Sequence, residues 1–592
     1  MLWIGVPLLV PDGAIVGVLG GVIGAATIFL WWLLFSRAPW VERIAVAVLI
    51  AIALAATRTV VHASIRGGMM GMMPLIFPLP GIALAIVAGA VIGARGGGRH
   101  RLLAIGLAVA IASGAWTLLR TDGIMGGTPQ LHWRWTKTAE QQLLEQTALA
   151  LPDAPAPIEA PKPADPAPPA AKPVAPAPAG STTTPPVTVA APAAGMAAAA
   201  TAAPPSTTNV AEWPGFRGPN RDGVVRGVKI GTDWQNAPPV KIWQRAIGPG
   251  WSSFAVAGDL LYTQEQRGED EVVACYRVST GAPVWHHREA VRFWESNGGA
   301  GPRATPTLHN GRVYAFGATG ILNALDARTG AAIWRRDVAA DSKRNVPMWG
   351  FSSSPLIVDD LVVVAASGTL VAYDIATGAT RWVGAAHGGS YSSPHRTKID
   401  GVDQVLLLSS VGVTSVAPAT GALLWEHAWD EGTTIVQPAV TANGDILINS
   451  ISGMGGLGIR RLAVQHDASG WRVEERWTSA GLKPYFNDFV VHENYAYGFD
   501  GSILACINLE DGKRAWKGGR YGEGQLVLLA EQNLLLVASE EGELALVSAT
   551  PEKFVEVARF PALEGKTWNH PVLVGNVLLV RNGEAMAAFK LR

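Results

Sequence analysis

AYDIATGATRW, at residues 372–382, is one of five copies of a single pattern in this chain. The other four are CYRVSTGAPVW (275–285), ALDARTGAAIW (324–334), SVAPATGALLW (415–425) and CINLEDGKRAW (506–516). Each copy has a small residue, a glycine six residues later and a tryptophan four residues after the glycine, with Thr or Asp before the glycine. Identical internal spacing in five copies indicates a repeat architecture.

The residue types of the pattern indicate strands joined by a tight turn. A small residue suits a strand packed against its neighbours, Thr or Asp hydrogen-bonds the backbone of a turn, and glycine adopts positive φ. A buried indole covers ~200 Å² and needs a partner for its N–H. One tryptophan in each repeat can therefore seal the joint between adjacent sheets.

The period of the pattern predicts the fold. The series runs over Trp243, Trp285, Trp334, Trp382, Trp425, Trp477 and Trp516, with Phe560 after it, at spacings of 39 to 52 residues. A four-stranded propeller blade takes ~40–50 residues. Only three strands follow Phe560, and the strand at 240–246 is available to complete the last blade and close the ring. We therefore predict an all-β, eight-bladed propeller over residues 211–592.

The N-terminal part has the composition of a membrane segment. Only 16% of the chain is charged, the mean hydropathy is +0.22, and apolar runs lie at 14–35, 44–62, 74–94 and 102–119. A run of ~20 apolar residues crosses a bilayer as a helix. Residues 1–125 are predicted to form a transmembrane anchor of about four helices. The spans carry no Asp or Glu between Glu42 and Asp122, which favours a plain anchor over a transport path.

The arginines of the short loops predict the orientation. Arg37 and Arg43 lie between the first two runs and Arg95, Arg99 and Arg101 between the last two, whereas Arg58, Arg66 and Arg120 lie on the opposite side. Positive residues favour the cytoplasm. We expect a multi-pass protein of the inner (cytoplasmic) membrane, in contact with the lipid bilayer, with its propeller in the periplasm or exterior.

Residues 126–210 are predicted to join the two parts without a folded domain. Residues 151–210 hold 16 Pro and 20 Ala and almost no large apolar side chains, so they cannot bury enough surface to offset the loss of conformational entropy. We expect a disordered spacer that holds the propeller away from the membrane. Residues 133–146 before it are predicted to form a short juxtamembrane helix.

Charge and cysteine content exclude several classes of protein. Lys plus Arg and Asp plus Glu both number 47, which leaves no electrostatic footprint for a nucleic acid. Two cysteines exclude a disulfide scaffold and a Cys-rich zinc module. Cys275 and Cys506 occupy one repeat position in blades far apart, so both are expected to be buried and unpaired. No metal site is assigned.

The repeat resembles the tryptophan-docking repeat of the PQQ-like β-propellers, a superfamily that contains quinoprotein dehydrogenases and the non-catalytic propeller lipoprotein of the outer-membrane β-barrel assembly machinery. WPGFRGPNRDG (213–223), GPRATP (301–306) and SYSSP (390–394) look like a bacterial group described as PQQ-binding-like repeat proteins. The chain departs from the alcohol-oxidising members, because its two cysteines are 231 residues apart and no local motif places a calcium ligand or a catalytic Asp. No catalytic residue is carried over, and whether PQQ with calcium binds stays open.

The starts of the innermost strands are the places where a ligand site would lie. There the sequence is rich in aromatic and polar residues: Trp251, Arg303, Trp349, Tyr391, Gln437, Asn487, Trp568 and His570, together with Asp488. PQQ would need an aromatic stacking surface, an Arg for its carboxylates and an Asp as base. The alternative is that these side chains only fill a narrow channel.

Two functions follow from these features. The first is a membrane-tethered, extracytoplasmic propeller that acts as a binding or assembly scaffold, with envelope proteins as partners. The second is a PQQ-dependent dehydrogenase that oxidises an alcohol or sugar and passes electrons to the membrane quinone pool, with Asp488 as the candidate base. The missing catalytic signatures favour the first.

Overall fold

The computed structural model describes residues 14–125, 128–146, 153, 212–429, 432–452 and 455–592. Four of its helical segments are long and apolar enough to cross a membrane, at Val16–Phe35, Trp40–Val60, Met73–Arg95 and Gly97–Leu118, as the hydropathy predicts. The helices are α1 (Ala14–Phe35), α2 (Trp40–Val60), α3 (Ala63–Gly67), α4 (Met73–Ile76), α5 (Leu79–Ile92) and α6 (Gly97–Ala115).

The helical region, α1 to α6, continues directly into a hairpin. β1 (Leu119–Met125) pairs with β2 (Thr128–Trp133), and Thr121 N donates to Ser64 Oγ at 2.9 Å, which attaches the hairpin to α3. The predicted helix at 133–146 is shorter than expected, because only α7 (Ala139–Glu145) is helical and Trp133 ends a strand. α7 begins at Thr138, whose Oγ1 accepts from Gln141 N while Gln141 Oε1 accepts from Thr138 N.

Eight four-stranded antiparallel units form the predicted propeller. Blade 1 consists of β5 (Ala255–Ala257), β6 (Leu260–Arg267), β7 (Asp270–Arg277) and β8 (Pro283–Glu289), blade 2 of β11 (Thr307–His309), β12 (Arg312–Phe316), β13 (Ile321–Asp326) and β14 (Ala332–Asp337), and blade 3 of β15 (Leu356–Val358), β16 (Leu361–Ala366), β17 (Thr369–Asp374) and β18 (Thr380–Val383). Blade 4 consists of β19 (His395–Ile399), β20 (Val402–Ser409), β21 (Gly412–Val416) and β22 (Leu423–Ala428), blade 5 of β23 (Ala439–Val440), β24 (Ile446–Ser452), β25 (Gly455–Asp467) and β26 (Gly470–Ser479), and blade 6 of β27 (Val490–His492), β28 (Tyr495–Asp500), β29 (Ile503–Asn508) and β30 (Arg514–Arg520). Blade 7 consists of β31 (Gln525–Leu529), β32 (Leu534–Ala538), β33 (Glu543–Ser548) and β34 (Glu556–Pro561), and blade 8 of β35 (Val572–Val574), β36 (Val577–Arg581), β37 (Ala585–Lys590) and β4 (Val240–Ala246).

Four short elements lie outside this pattern. β9 (Trp294–Glu295) and β10 (Gly299–Ala300) pair between blades 1 and 2, and α8 (Val338–Ser342) follows blade 2. β3 (Val224–Val225) joins blade 7 in parallel beside β31.

The ring closes as the sequence predicts, with β4 as the outermost strand of blade 8. Arg581 of β36, fully buried, strengthens this joint. It donates to Thr263 Oγ1 at 2.6 Å and Gln264 O at 2.9 Å in blade 1, and to Gly248 O at 3.1 Å. Blade 8 is therefore tied to blade 1 by a strand and by a buried guanidinium.

The tryptophans dock between blades, and this explains the glycine of the motif. The indole of Trp334 in blade 2 donates to Ile375 O in blade 3 at 3.2 Å and lies over Gly378, where an added Cβ would come within 2.7 Å of the ring. Trp243, Trp285, Trp382, Trp477 and Trp516 likewise donate to carbonyls of the following blade. Trp425 instead donates to Gln404 within its own blade. The blade after it has lost the motif.

Both cysteines are buried and unpaired. Each lies in the strand position that the repeat assigns to a small residue, on β7 and β29. They fill the core, as predicted.

Candidate functional site

The two faces of the propeller carry different connections. Because the four strands of a blade alternate in direction, the links between blades and the turns between second and third strands lie on one face, and the glycine turns of the motif lie on the other. We call the first the mouth face and the second the plug face. The innermost strands begin at the mouth face.

Residues 213–225 cross the central channel, and we call them the plug. Trp213 pairs with Val256 of blade 1, with N–O distances of 3.2 and 2.7 Å. Pro214 O accepts from Leu308 N of blade 2 at 2.6 Å, and Gly223 O accepts from Leu528 N of blade 7 at 2.8 Å. The WPGFRGPNRDG motif is thus a segment that holds blades together from inside the ring.

Two buried arginines of the plug extend its contacts. Arg217 donates to Asp488 Oδ1 at 2.8 Å in blade 6, and Arg221 donates to Pro355 O at 3.0 Å and Ser354 O at 3.2 Å ahead of blade 3. Both have positive φ, 59° and 55°, a conformation that is costly for residues other than glycine. Burial and the charge of Arg217 together lower the pKa of Arg221 to about 9.

Asp488, the candidate base, is shared between two partners. Its Oδ1 accepts from Arg217, and its Oδ2 lies 2.8 Å from Nε2 of His570 in blade 8. Burial would raise the pKa of Asp488, but the Arg217 guanidinium and the His570 hydrogen bond outweigh it, so the pKa is lowered. His570 also meets the edge of Phe216 of the plug, with ring centroids 5.1 Å apart.

Two of the other polar candidates also lie at this level. Gln437 Nε2 donates to the carbonyl oxygen of Arg221, so it too holds the plug. Asn487 is 1% exposed, and its Oδ1 accepts from Tyr485 N at 2.9 Å. The structure thus brings Gln437, Asp488 and His570 together around the plug.

Arg303 is committed to the loop that precedes blade 2. It donates to the carbonyl oxygens of Gly301 at 2.8 Å, Gly299 at 2.9 Å and Trp349 at 3.2 Å, and its Nη2 lies 3.2 Å from Glu295 Oε1. Burial lowers the pKa of Arg303 to about 10. The guanidinium donors of Arg303 therefore face acceptor atoms of the protein itself.

The aromatic candidates lie one level closer to the mouth face and form a belt. Trp251 and Trp568 are 4.8 Å apart, and Phe486 extends the cluster at 4.8 Å from Trp568. Trp349 and Tyr391 form a second pair at 4.8 Å. The belt offers flat apolar surface above the Asp488 and His570 pair.

Sequence reasoning missed the charged groups of this level. Lys566 Nζ lies 4.3 Å from the Trp568 ring centroid and 5.4 Å from that of Trp251, and burial lowers the pKa of Lys566 to about 8. Glu540 accepts from Trp568 Nε1 at 3.0 Å. Burial and the charge of Glu540 raise the pKa of Glu523 to about 7. Lys566 and Glu523 lie next to predicted starts of innermost strands, so position was a usable signal for these two residues, whereas Glu540 lies in the turn between β32 and β33.

The residues present do not fit PQQ with calcium. Among the described residues no group of three or more His, Cys, Asp and Glu side chains could hold a metal ion. The carboxylate oxygens of Asp488 face Arg217 and His570, and the donors of Arg303 face carbonyls and Glu295. The belt alone suits a planar ligand.

Known proteins resemble the propeller. A family model described as "Outer membrane protein assembly factor BamB" matches residues 269–518. BamB of Shewanella oneidensis is 33% identical over 110 residues, 18% of this chain, and the match spans only 26% of that protein.

Solved structures match it at low identity. BamB from Moraxella catarrhalis is 18% identical with a TM-score of 0.43, over 60% of this chain and 98% of its own. Quinohemoprotein alcohol dehydrogenase from Comamonas testosteroni is 13% identical with a TM-score of 0.46, over 64% and 81%. The eight sheets form an eight-bladed propeller, and its repeat motif and the family match over residues 269–518 make it similar to the PQQ-like repeat propellers.

Proposed function

We propose that the protein is a membrane-tethered, extracytoplasmic scaffold whose propeller binds or helps to assemble other envelope proteins. The observation that carries this proposal is the plug. It engages Asp488, His570 and Gln437, the polar side chains that a channel enzyme would need for its cofactor.

The expected orientation of the apolar helices supports the proposed location. β1 follows α6 on the same side of the membrane region as α3, so the propeller and the loop at 61–78 share one side. The loops on the other side carry five of the eight arginines near the spans. Since positive residues favour the cytoplasm, we place the propeller outside it, on the inner membrane. The matched family, named for outer membrane protein assembly, points to envelope proteins as partners.

The test is made on the full-length protein in detergent. PQQ with calcium is titrated by calorimetry, and dye-linked oxidation of alcohols and aldoses is assayed in parallel. We expect neither binding nor turnover, and we expect chemical crosslinking in native membranes to capture a stoichiometric envelope protein. One-to-one PQQ binding with dye reduction, from a protein that crosslinks to nothing, would refute the proposal.

The second function stays a candidate because of the aromatic belt. Trp251, Trp568 and Phe486 present stacking surface next to a buried lysine, as a planar anionic ligand would require. The same titration decides between the two functions. Trp568→Ala would abolish binding by the belt, while Trp294→Ala, outside the belt, serves as the matched control.

A further inference from the structure

The mouth face of the propeller lies against the membrane region of the same chain. Lys566 Nζ, on the loop before blade 8, donates to Asn297 O at 3.1 Å and lies 3.5 Å from Asp122 O of β1. A Cβ on Gly67 of α3 would lie 2.7 Å from Ser296 Oγ on the loop between blades 1 and 2. Both propeller loops belong to the mouth face.

A second attachment holds the same face. Glu140 of α7 accepts from Arg292 through both carboxylate oxygens at 2.8 Å and from Gly268 N at 2.9 Å. Gly268 lies in the turn between β6 and β7 of blade 1, which is a mouth-face turn. The hairpin and α7 therefore hold blade 1 close to the ends of the apolar helices.

Exposed apolar side chains collect on this face. The described part of the propeller exposes nine large apolar side chains, and five of them lie at mouth-face positions between blades 1 and 4: Trp294 (41%), Val346 (43%), Met348 (61%), Val383 (44%) and Val411 (42%). Isolated exposed apolar residues are ordinary, but a group on one face marks an interaction surface.

The segments that carry these side chains adjoin one another, and Phe293, next to Trp294, would lie 3.1 Å from a Cβ on Gly350, which follows the loop of Val346 and Met348. Arg344 donates to Gly388 O at 3.3 Å, and Gly389 N donates to Ser410 Oγ at 3.0 Å, so the loops at 343–349, 384–390 and 410–411 lie side by side. Lys343, exposed, stands next to this surface. We call the surface formed by Trp294, Val346, Met348, Val383 and Val411 the rim patch.

Its chemistry matches the interface of a bilayer. Trp together with Lys or Arg is typical of the headgroup region, where amphipathic rings and long basic side chains are stable. The membrane region shows the same feature on its propeller side, since Trp133 and Trp135 stack at 5.2 Å and are 52% and 67% exposed. Exposed aromatic side chains thus occur both on the mouth face and on the hairpin side of the helical region.

We propose that the rim patch rests in the headgroup layer of the bilayer beside the spanning helices, with Met348 and Val346 inserted and Lys343 facing anionic lipid. This inference rests on the proposed membrane anchor. The propeller is then not suspended on a spacer but lies on the membrane, with its mouth face toward the lipid.

The test uses the full-length protein in nanodiscs that contain anionic phospholipid. Because Cys275 and Cys506 are buried, a thiol-reactive fluorophore labels only an introduced cysteine. Met348→Cys is compared with Ile111→Cys on α6 and with Leu423→Cys on the plug face, which are 65% and 50% exposed. Headgroup spin-labelled lipid is the quencher, and Val346→Cys replaces Met348→Cys if that variant does not fold.

We expect quenching at position 348 close to that at 111 and several-fold greater than that at 423. Quenching at 111 but not at 348 or 346 would overturn the rim inference while leaving the anchor intact. A blue-shifted, unquenched label at 348 in native membranes supplemented with the same spin-labelled lipid would mean that a protein covers the patch, which also overturns the rim inference. Absence of quenching at 111 would refute the proposed anchor and this inference with it.

Discussion

Asp488→Asn tests whether the buried carboxylate of Asp488 serves to hold the plug or to catalyse a reaction. The substitution keeps the shape but removes the negative charge between Arg217 and His570. Arg217 Nη1 and Asp488 Oδ1 are 2.8 Å apart, and at an effective dielectric constant of about 20 their attraction is about 6 kcal/mol. Removing one partner of a buried pair leaves the other charge uncompensated and usually costs about 3–5 kcal/mol. Arg221, also buried nearby, adds repulsion.

We expect the free energy of unfolding to fall by about 3–5 kcal/mol, measured by urea unfolding of the detergent-solubilised protein with tryptophan fluorescence. Asp403→Asn is the matched control. It breaks exposed pairs with Arg396 and Lys398, and such pairs contribute about 0–1 kcal/mol each. The double variant Arg217→Met/Asp488→Leu should recover most of the loss. Unchanged stability of Asp488→Asn, with loss of a measurable oxidation activity, would refute the reasoning and make Asp488 a catalytic residue.

Three further predictions use the same unfolding assay. Gly378→Ala should lower the free energy of unfolding by about 1–3 kcal/mol more than Gly401→Ala does. Both glycines have positive φ, but only at 378 would the added Cβ meet the Trp334 indole. Equal losses of stability in the two variants would contradict the docking role of the indole. Burial raises the pKa of Glu271 to about 7, so the wild type should lose stability as the pH rises from about 4.5 to 7. Glu271→Gln should reduce that slope and leave the part that comes from Glu523, whose pKa is also raised to about 7, and an unchanged slope would contradict the assignment. Arg581→Met should cost about 2–4 kcal/mol, because buried carbonyls at the closing joint lose their donors; a change below the error of the assay would show that β4 alone closes the ring.

The blades could be predicted because their signal is local. The glycine and tryptophan of each copy are four residues apart, and the indole that covers a glycine belongs to the same position of the previous blade. Each contact is therefore repeated with the period of the sequence. The closing strand was predictable for a related reason, since a ring cannot leave blade 8 with three strands.

The plug could not be predicted because its contacts have no period. Arg217 and Asp488 are separated by 271 residues, and nothing near either one indicates the other. The motif at 213–223 identified a relative but not a position in the fold. Asp488 was named only as a candidate base at the start of an inner strand. Its partner Arg217, which determines what the carboxylate can do, comes from a segment outside the repeats.

The contacts that attach the propeller to the rest of the chain could not be predicted from composition either. Asp153 Oδ1 lies 2.9 Å from His286 Nε2 on β8, and Glu212 Oε2 accepts from Gly258 N at 2.9 Å, between β5 and β6. Asp153 and Glu212, the described residues on either side of the Ala/Pro-rich segment, thus both contact blade 1. The contacts of Asp122 with Lys566 and of Glu140 with Arg292 attach the helical region to the propeller through residues that precede that segment. The prediction of a disordered spacer falls on residues outside the described part of the chain, so the attachment follows from these contacts and not from the spacer.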